Sequence, residues 1–220
     1  MRFQDTPELA EWRTQVRQFV DTHWRAQSKP GEEEDSMEGP TDMRRTKVWL
    51  DKLAENGWIA AAWPKKYGGA DMSVLEQFVL NQEFHEAGAP TSRQMLNLVG
   101  PTIMLHGTEE QKAEHLPPML RGEVGWCQGF SEPGSGSDLA SLQTRAVRDG
   151  DDYVVNGQKI WTSGAHRADW IFMMARTDGD APKHRGISYL LVNMKTPGIT
   201  VRPLINMANR HHFNEVFFED

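Results

Sequence analysis

The spacing of apolar residues changes once along this chain, near Arg121-Gly122, and that change limits the folds open to it. Before it, apolar residues recur three and four apart, the period of one helix face. Leu9, Trp12, Val16, Phe19 and Val20 make a first stripe. Val48, Trp49, Leu50 and Leu53 make a second, with Asp42 placed to cap its start and Gly57 to stop it. Ser73 and Glu76 stand at capping-box spacing around Val74, Leu75, Phe78 and Val79, and Gly88 to Pro90 end that helix. A fourth apolar stretch runs from Met95 to Leu105. Thr108 and Gln111 form another capping box, opening a short helix expected to run out at Pro117-Pro118. Ser28 to Pro40 is polar, acidic and rich in Gly and Pro, which reads as an exposed loop.

After residue 122 the pattern alternates. Gln143 to Arg148 and Tyr153 to Val155 flank Asp149-Gly150-Asp151, a hairpin signal. Asn156-Gly157 predicts a second tight turn, leading into Gln158 to Trp161. Trp170 to Ala175, Ile187 to Val192, Ile199 to Val201 and Val216 to Phe218 are further strands. The expected fold is multidomain α+β. An all-α helical domain covers residues 1–122, and an antiparallel β-barrel or sandwich covers 123–220. Glu215 to Asp220 forms an apolar strand with no closing turn, which predicts that the chain continues beyond Asp220.

Composition narrows the function classes. The net charge is −7 and the basic residues are scattered, so no basic surface is expected for nucleic acid. No apolar run approaches the roughly 20 residues of a membrane span. The start, Met1 to Pro7, has neither a signal-peptide core nor an Arg/Ser-rich transit segment. With Cys127 as the single cysteine, no disulfide forms within the chain, and the expected location is cytoplasmic. The eight Trp and eleven Met read first as core packing. No His or Cys pattern has metal-ligand spacing, and the adjacent His211 and His212 would face opposite sides of a strand. No Gly-x-Ser-x-Gly elbow supports a hydrolase.

Two segments carry chemistry. Gln128 to Ser141 reads Gln-Gly-Phe-Ser-Glu-Pro-Gly-Ser-Gly-Ser-Asp-Leu-Ala-Ser. Its glycines let main-chain N–H groups approach a ligand, and Ser131, Ser135 and Ser137 add hydroxyls, which suits a phosphate or the edge of a flavin. A flexible hairpin loop is the alternative for this segment taken alone. Its glycine spacing fits neither a dinucleotide fingerprint nor a P-loop. In the second segment, Gly157 to Ala165, Trp161 precedes Thr162 and Ser163 at a strand end. A flat ring beside hydroxyl donors suits a planar heterocycle, although a lone Trp is more often core.

Together the two segments resemble the acyl-CoA dehydrogenase family. The family's run of Ser/Thr-Glu-Pro-Gly-small-Gly-Ser-Asp stands within Gly129 to Ser141, and its Asn-Gly-Gln-Lys-x-Trp-x-Ser/Thr stands at Asn156 to Ser163. Gly57 to Gly69 and His106 to Lys112 are similar as well, so the resemblance covers essentially the whole chain. It implies an FAD-dependent oxidoreductase of acyl metabolism that removes an α proton and passes a β hydride from an acyl-CoA thioester to FAD, giving a 2-enoyl-CoA. It implies that Gln128, Gly129, Phe130, Ser131, Gly136 and Ser137 lie along FAD, with the Ser131 hydroxyl on the flavin ring and Ser137 also touching the thioester ligand. Trp161, Thr162 and Ser163 would flank the isoalloxazine, with Ser163 near the hydride-accepting nitrogen. Departures are Phe130 for an aliphatic, Gln128 for an aromatic or small residue, and Ser for the common Thr at 131 and 163.

The resemblance also implies partners. These are an acyl-CoA substrate, an electron-transfer flavoprotein or similar acceptor, and further subunits of a homo- or hetero-oligomer, a tetramer in the complete protein. The family's catalytic Glu lies in a C-terminal helical domain. No residue here matches it, Glu132 and Glu215 included, so the base is expected beyond Asp220. Alternatives are a related flavin monooxygenase or oxidase, and a non-catalytic subunit of a heteromeric dehydrogenase.

Overall fold

The computed structural model describes residues 4–27, 43–90 and 95–220. The chain divides into two compact units, Met1–Glu123 and Val124–Asp220. The Ser28 to Pro40 loop and the Asp42 cap lie outside the described residues.

The first unit is helical: α1 (Pro7–His23), α2 (Met43–Glu55), α3 (Val74–Glu86), α4 (Leu96–His106) and α5 (Glu109–Leu120). Thr6 caps α1 by accepting the Leu9 N–H, and Pro7 occupies the first turn, where its missing N–H costs nothing. The reciprocal boxes at Ser73/Glu76 and Thr108/Gln111 are both formed. The α1 stripe buries Leu9, Val16 and Val20. Large rings meet at the centre: Trp49 lies 5.1 Å from Phe84 and 5.7 Å from Trp24, centroid to centroid. Their indole N–H groups donate to main-chain carbonyls, Trp24 to Ala87 and Trp49 to Pro90, so the rings bury without an orphaned donor.

Helix α5 departs from expectation. It does not run out at Pro117-Pro118 but continues to Leu120. The proline φ is compatible with a helix, and the two missing N–H bonds are offset by burial of Leu116 and Met119 on either side.

The second unit is a curled sheet of β1 (Trp126–Gly129), β2 (Arg145–Asp149), β3 (Asp152–Lys159), β4 (Trp170–Arg176), β5 (Ile187–Asn193), β6 (Ile199–Ile205) and β7 (His211–Phe218). The order is β1-β4-β2-β3-β7-β6, with β5 also on β4. Four ladders are antiparallel, as the alternating pattern predicts. The sheet is nevertheless mixed: β1 runs parallel to β4, with Gly129 opposite Met173. A parallel pair needs a long crossover, and the β2–β3 hairpin lies within it. Cys127, Ile171, Met173, Val216 and Phe218 belong to the core of this unit.

Asn156-Gly157 is not a turn. It lies inside β3, where the strand leaves β2 and begins to pair with β7. Gly157 has φ 156°, and a Cβ there would meet Thr144 Oγ1 at 2.4 Å. The glycine is needed for this close strand crossing, a role that resembles a hairpin signal in the sequence.

Candidate functional site

The two segments that carry the chemistry lie side by side, and a buried ion pair joins them. Lys159 is 0% exposed, and its Nζ lies 2.8 Å from Glu132 Oε1. It also donates to the Phe130 carbonyl. The Glu132 carboxylate accepts the Gln143 N–H at 2.6 Å and the Thr144 N–H at 3.0 Å. Ile160 N donates to the Ser131 carbonyl at 2.9 Å, tying the segments again through the main chain. Burial alone would raise the Glu132 pKa, but Lys159 and the two N–H groups outweigh it and hold the carboxyl below its ordinary value. Burial lowers Lys159 against the pull of Glu132. We take the pair as ionised, because the carboxylate has three charge-favouring donors.

Gly129 ends β1, where a Cβ would meet Ile171 Cδ1 at 2.7 Å. Gln128 pairs with Phe172 in the ladder. The Phe130 ring packs edge-on against Phe172 and Tyr189, so the replacement of an aliphatic residue there completes an aromatic cluster. Ser131 is half-buried beside Ile160.

Trp161, Thr162 and Ser163 follow β3 directly. Trp161 adopts φ 59°, a left-handed conformation that is an outlier for a bulky residue. Its ring meets Phe213 edge-on but is 59% exposed, so the reading of Trp161 as plain core does not hold. Trp24, Trp49, Trp63 and Trp126 do fit that reading. Thr162 is buried, and its Oγ1 has no hydrogen-bond partner. Ser163 is half-buried. Such a strained residue, an exposed ring and an orphaned hydroxyl together suit contact with a flat polar ligand.

Gly136 and Ser137 lie apart from this cluster, on the exposed limb of the loop, with open space around Gly136. The loop is pinned behind them. Glu132 and Ser135 exchange main-chain hydrogen bonds, and Ser135 Oγ donates to main-chain carbonyls at Asp138 and Leu139. Beyond Ser137, Asp138 pairs with Lys183 at the edge of a groove of about 700 Å³. Arg145, Arg148 and Lys183 line it, while Arg176 holds its wall by donating to the Ala140 carbonyl at 2.8 Å. Asp180 also lines it, but the cations outnumber it, so the groove is a net cationic hollow that suits phosphate.

Sequence reasoning left out Lys159 and Asn214. Lys159 stands in the motif, but a lysine in a strand reads as solvent-facing until its partner is located. Asn214 is fully buried and bonds Thr162 through both main chain and side chain. Glu132 is occupied by Lys159 and two N–H groups, which argues against a role as base. Among the described residues, no group of three or more His, Cys, Asp or Glu could hold a metal ion, and no helix is long and apolar enough to cross a membrane.

Comparison with known proteins matches both units to one family. Residues 6–123 match the model of the acyl-CoA dehydrogenase N-terminal domain, and residues 127–220 that of the middle domain. Acyl-CoA dehydrogenase FadE29 of Mycobacterium tuberculosis is 40% identical over 98% of this chain and 54% of its own length. The ChsE4-ChsE5 complex from the same organism superposes with a TM-score of 0.83 at 39% identity, over 100% of this chain and 55% of the other. A glutaryl-CoA dehydrogenase from Mycobacterium smegmatis, in complex with FADH2, gives 0.72 at 25% identity over 98% of this chain and 53% of the other. The chain therefore spans about half the length of these relatives.

Proposed function

This chain belongs to the acyl-CoA dehydrogenase family, and from that premise we propose that it supplies the flavin-facing and thioester-facing walls of an FAD-dependent acyl-CoA oxidoreductase. The observation that carries the reading is the joining of the 129–132 and 159–163 segments by the buried Glu132–Lys159 pair, with Trp161 left exposed in a strained conformation. Strain of this kind persists where the surrounding structure fixes it, and it concentrates at ligand-binding sites.

In this reading Ser131 and Ser163 offer hydroxyls to FAD, Trp161 a flat face, and Gln128, Gly129, Phe130 and Thr162 the supporting wall. When bound, FAD supplies the acceptor for a hydride from the β carbon of an acyl-CoA, the α proton leaving to a base, so that a 2-enoyl-CoA forms. Gly136 and Ser137 would also lie along FAD, with Ser137 touching the thioester ligand. The groove of Arg145, Arg148 and Lys183 meets its phosphate-rich carrier, where charge and main-chain N–H groups add. No residue of this chain is assigned as the base. An electron-transfer flavoprotein or similar acceptor would reoxidise the flavin.

The test is the visible spectrum of the protein expressed from its full reading frame, before and after anaerobic addition of a panel of acyl-CoAs. Flavin absorbance that bleaches with one of them supports the reading. A folded protein that binds no flavin under any condition overturns it. A second reading is favoured by one observation: the similar ChsE4-ChsE5 structure is a complex of two named components. The chain would then be one subunit of a heteromeric dehydrogenase. Flavin that is retained only when a homologous partner is co-purified distinguishes this reading from the first.

A further inference from the structure

Resting on the flavin-facing reading of residues 161–163, we propose that Asn214 is the positioning residue of that segment and that His166 makes the position respond to protons. Five hydrogen bonds converge on Asn214, which is fully buried in β7. Its N–H donates to the Thr162 carbonyl at 3.1 Å, and its own carbonyl accepts the Thr162 N–H at 3.0 Å. Its side-chain Nδ2 donates to the same Thr162 carbonyl at 2.9 Å. A carbonyl only accepts, so this bond fixes which amide atom is nitrogen. The other two bonds follow. Oδ1 accepts from His211 Nε2 at 2.7 Å, and the second Nδ2 proton goes to His166 Nδ1 at 3.2 Å.

His166 Nδ1 must therefore be bare, and His166 neutral. A proton at that atom removes the acceptor and sets two donors against each other. The His166 and His211 rings stack with centroids 4.0 Å apart, so His211 also disfavours a charge on His166. His166 sits on the 3-10 turn Ala165–Arg167, three residues after Ser163. The charged groups around it are Arg167 on the same turn, His211 and His212 on β7, and Lys195 from the β5–β6 connection, which lines the same hollow of about 320 Å³. None is an acid. Burial first, then His211 and Arg167, push His166 below its ordinary value, so the Asn214 bond is intact at neutral pH and fails on acidification. On the other side of Ser163, Gly164 N donates to the His212 carbonyl, so residues 162–164 are backed by β7 throughout.

The experiment uses this chain with 5-fluorotryptophan incorporated, the Trp161 resonance being assigned by Trp161→Phe. Fluorine NMR follows that resonance from pH 8 to pH 5 without flavin. The expected result is a one-proton titration with a midpoint below the ordinary His value of about 6.5. It should disappear in His166→Gln, which keeps an acceptor for Nδ2 at every pH. Asn214→Ala should shift the resonance at pH 8 and abolish the titration. If that variant does not fold, the His166→Gln comparison decides alone. A Trp161 resonance that is flat with pH, or that still titrates in His166→Gln, overturns the proposal. The flavin assignment is read separately in the flavin-loaded full-length protein, with its homologous partner where flavin retention needs one. A Trp161 resonance there that matches the flavin-free one overturns that assignment and leaves the coupling in place.

Discussion

Among the described residues, each unit of this molecule buries one carboxylate against cations, and the two arrangements differ in what they hold. In the helical unit, Glu83 on α3 takes Arg13 at 2.9 Å and Arg17 at 2.8 Å, both from α1. Arg17 is 53% exposed, and Arg13 also pairs with Asp5 at 2.6 Å. The cluster is an edge clamp between two helices, half in water, with one cation already shared. In the β unit, Glu132 faces a single lysine with no exposure and two main-chain N–H groups. The cation of that pair has no water to fall back on, whereas Arg17 does. The same chemistry therefore clamps a scaffold in one unit and sets the spacing of the two segments proposed to face the flavin in the other.

The sharpest test removes one partner from each. Lys159→Met leaves a buried, unpaired carboxylate, and such a loss costs about 3–5 kcal/mol. We expect hydrogen exchange, read by mass spectrometry, to rise most in peptides covering 129–132 and 157–163. Glu132→Gln in the same chain should recover part of the loss, because it removes the unpaired buried charge, although the single amide oxygen can accept only one of the Gln143 and Thr144 N–H groups. Glu83→Gln should cost less, about 1.5–3 kcal/mol, the range of hydrogen bonds to charged groups, since Arg17 is already partly hydrated. Its exchange increase should fall on α1 and α3. If the two single substitutions cost the same by denaturant melting, the distinction between clamp and spacer fails.

Acid sharpens the comparison further. Glu83 and Glu132 are each held below the ordinary carboxylate value; burial works to raise both, and the cations, with N–H groups at Glu132, prevail. A depressed folded pKa contributes stability that is complete above the unfolded value, near 4.3, and is lost as pH falls through the folded one. Both units should therefore hold their structure down to about pH 4 and loosen below it. In Glu132→Gln, the β unit alone should lose that dependence, as read by exchange in residues 124–220 across pH 5 to pH 3.

How much of this was legible in the sequence follows from the range of the interactions. Caps and stripes are local, so α1 is visible in the stripe through Leu9, Val16 and Val20, and α3 and α5 in Ser73/Glu76 and Thr108/Gln111. The antiparallel ladders follow from alternation, but the parallel β1–β4 pair does not, because nothing within Trp126–Gly129 names its partner 44 residues away. Gly157 misled for a related reason. A glycine demanded by a neighbouring strand looks like one demanded by a turn. The motifs pointed to residues 128–137 and 161–163 through family resemblance. Asn214 carried no comparable signal, since its importance lies in contacts with Thr162, 52 positions earlier.

The smallest expected effect is the most diagnostic for Trp161. Its φ of 59° is sterically poor for any residue with a Cβ, and a bulky ring adds to the crowding. Asn209, Asp71 and Asp220 share the sign of φ, but Asn and Asp tolerate this region through local hydrogen bonding. Trp161→Gly relieves the strain, which is worth about 1–2 kcal/mol in the left-handed region. Against that stand the greater chain entropy of glycine, about 0.5–1 kcal/mol, and loss of the Phe213 edge contact, about 0.5–1.5 kcal/mol. Because the ring is mostly exposed, little apolar burial is forfeited. These terms nearly cancel, so the melting temperature without flavin should stay within a few degrees of the parent. Trp161→Gly in the flavin-loaded full-length protein should nonetheless weaken flavin retention, because the flat face is gone. A core tryptophan behaves in the opposite way: truncation costs about 3–5 kcal/mol regardless of ligand. A large loss of stability in the flavin-free chain would return Trp161 to the company of Trp24 and Trp49, and the contrast between a packed helical unit and a β unit with a strained, exposed ring would lose its clearest residue.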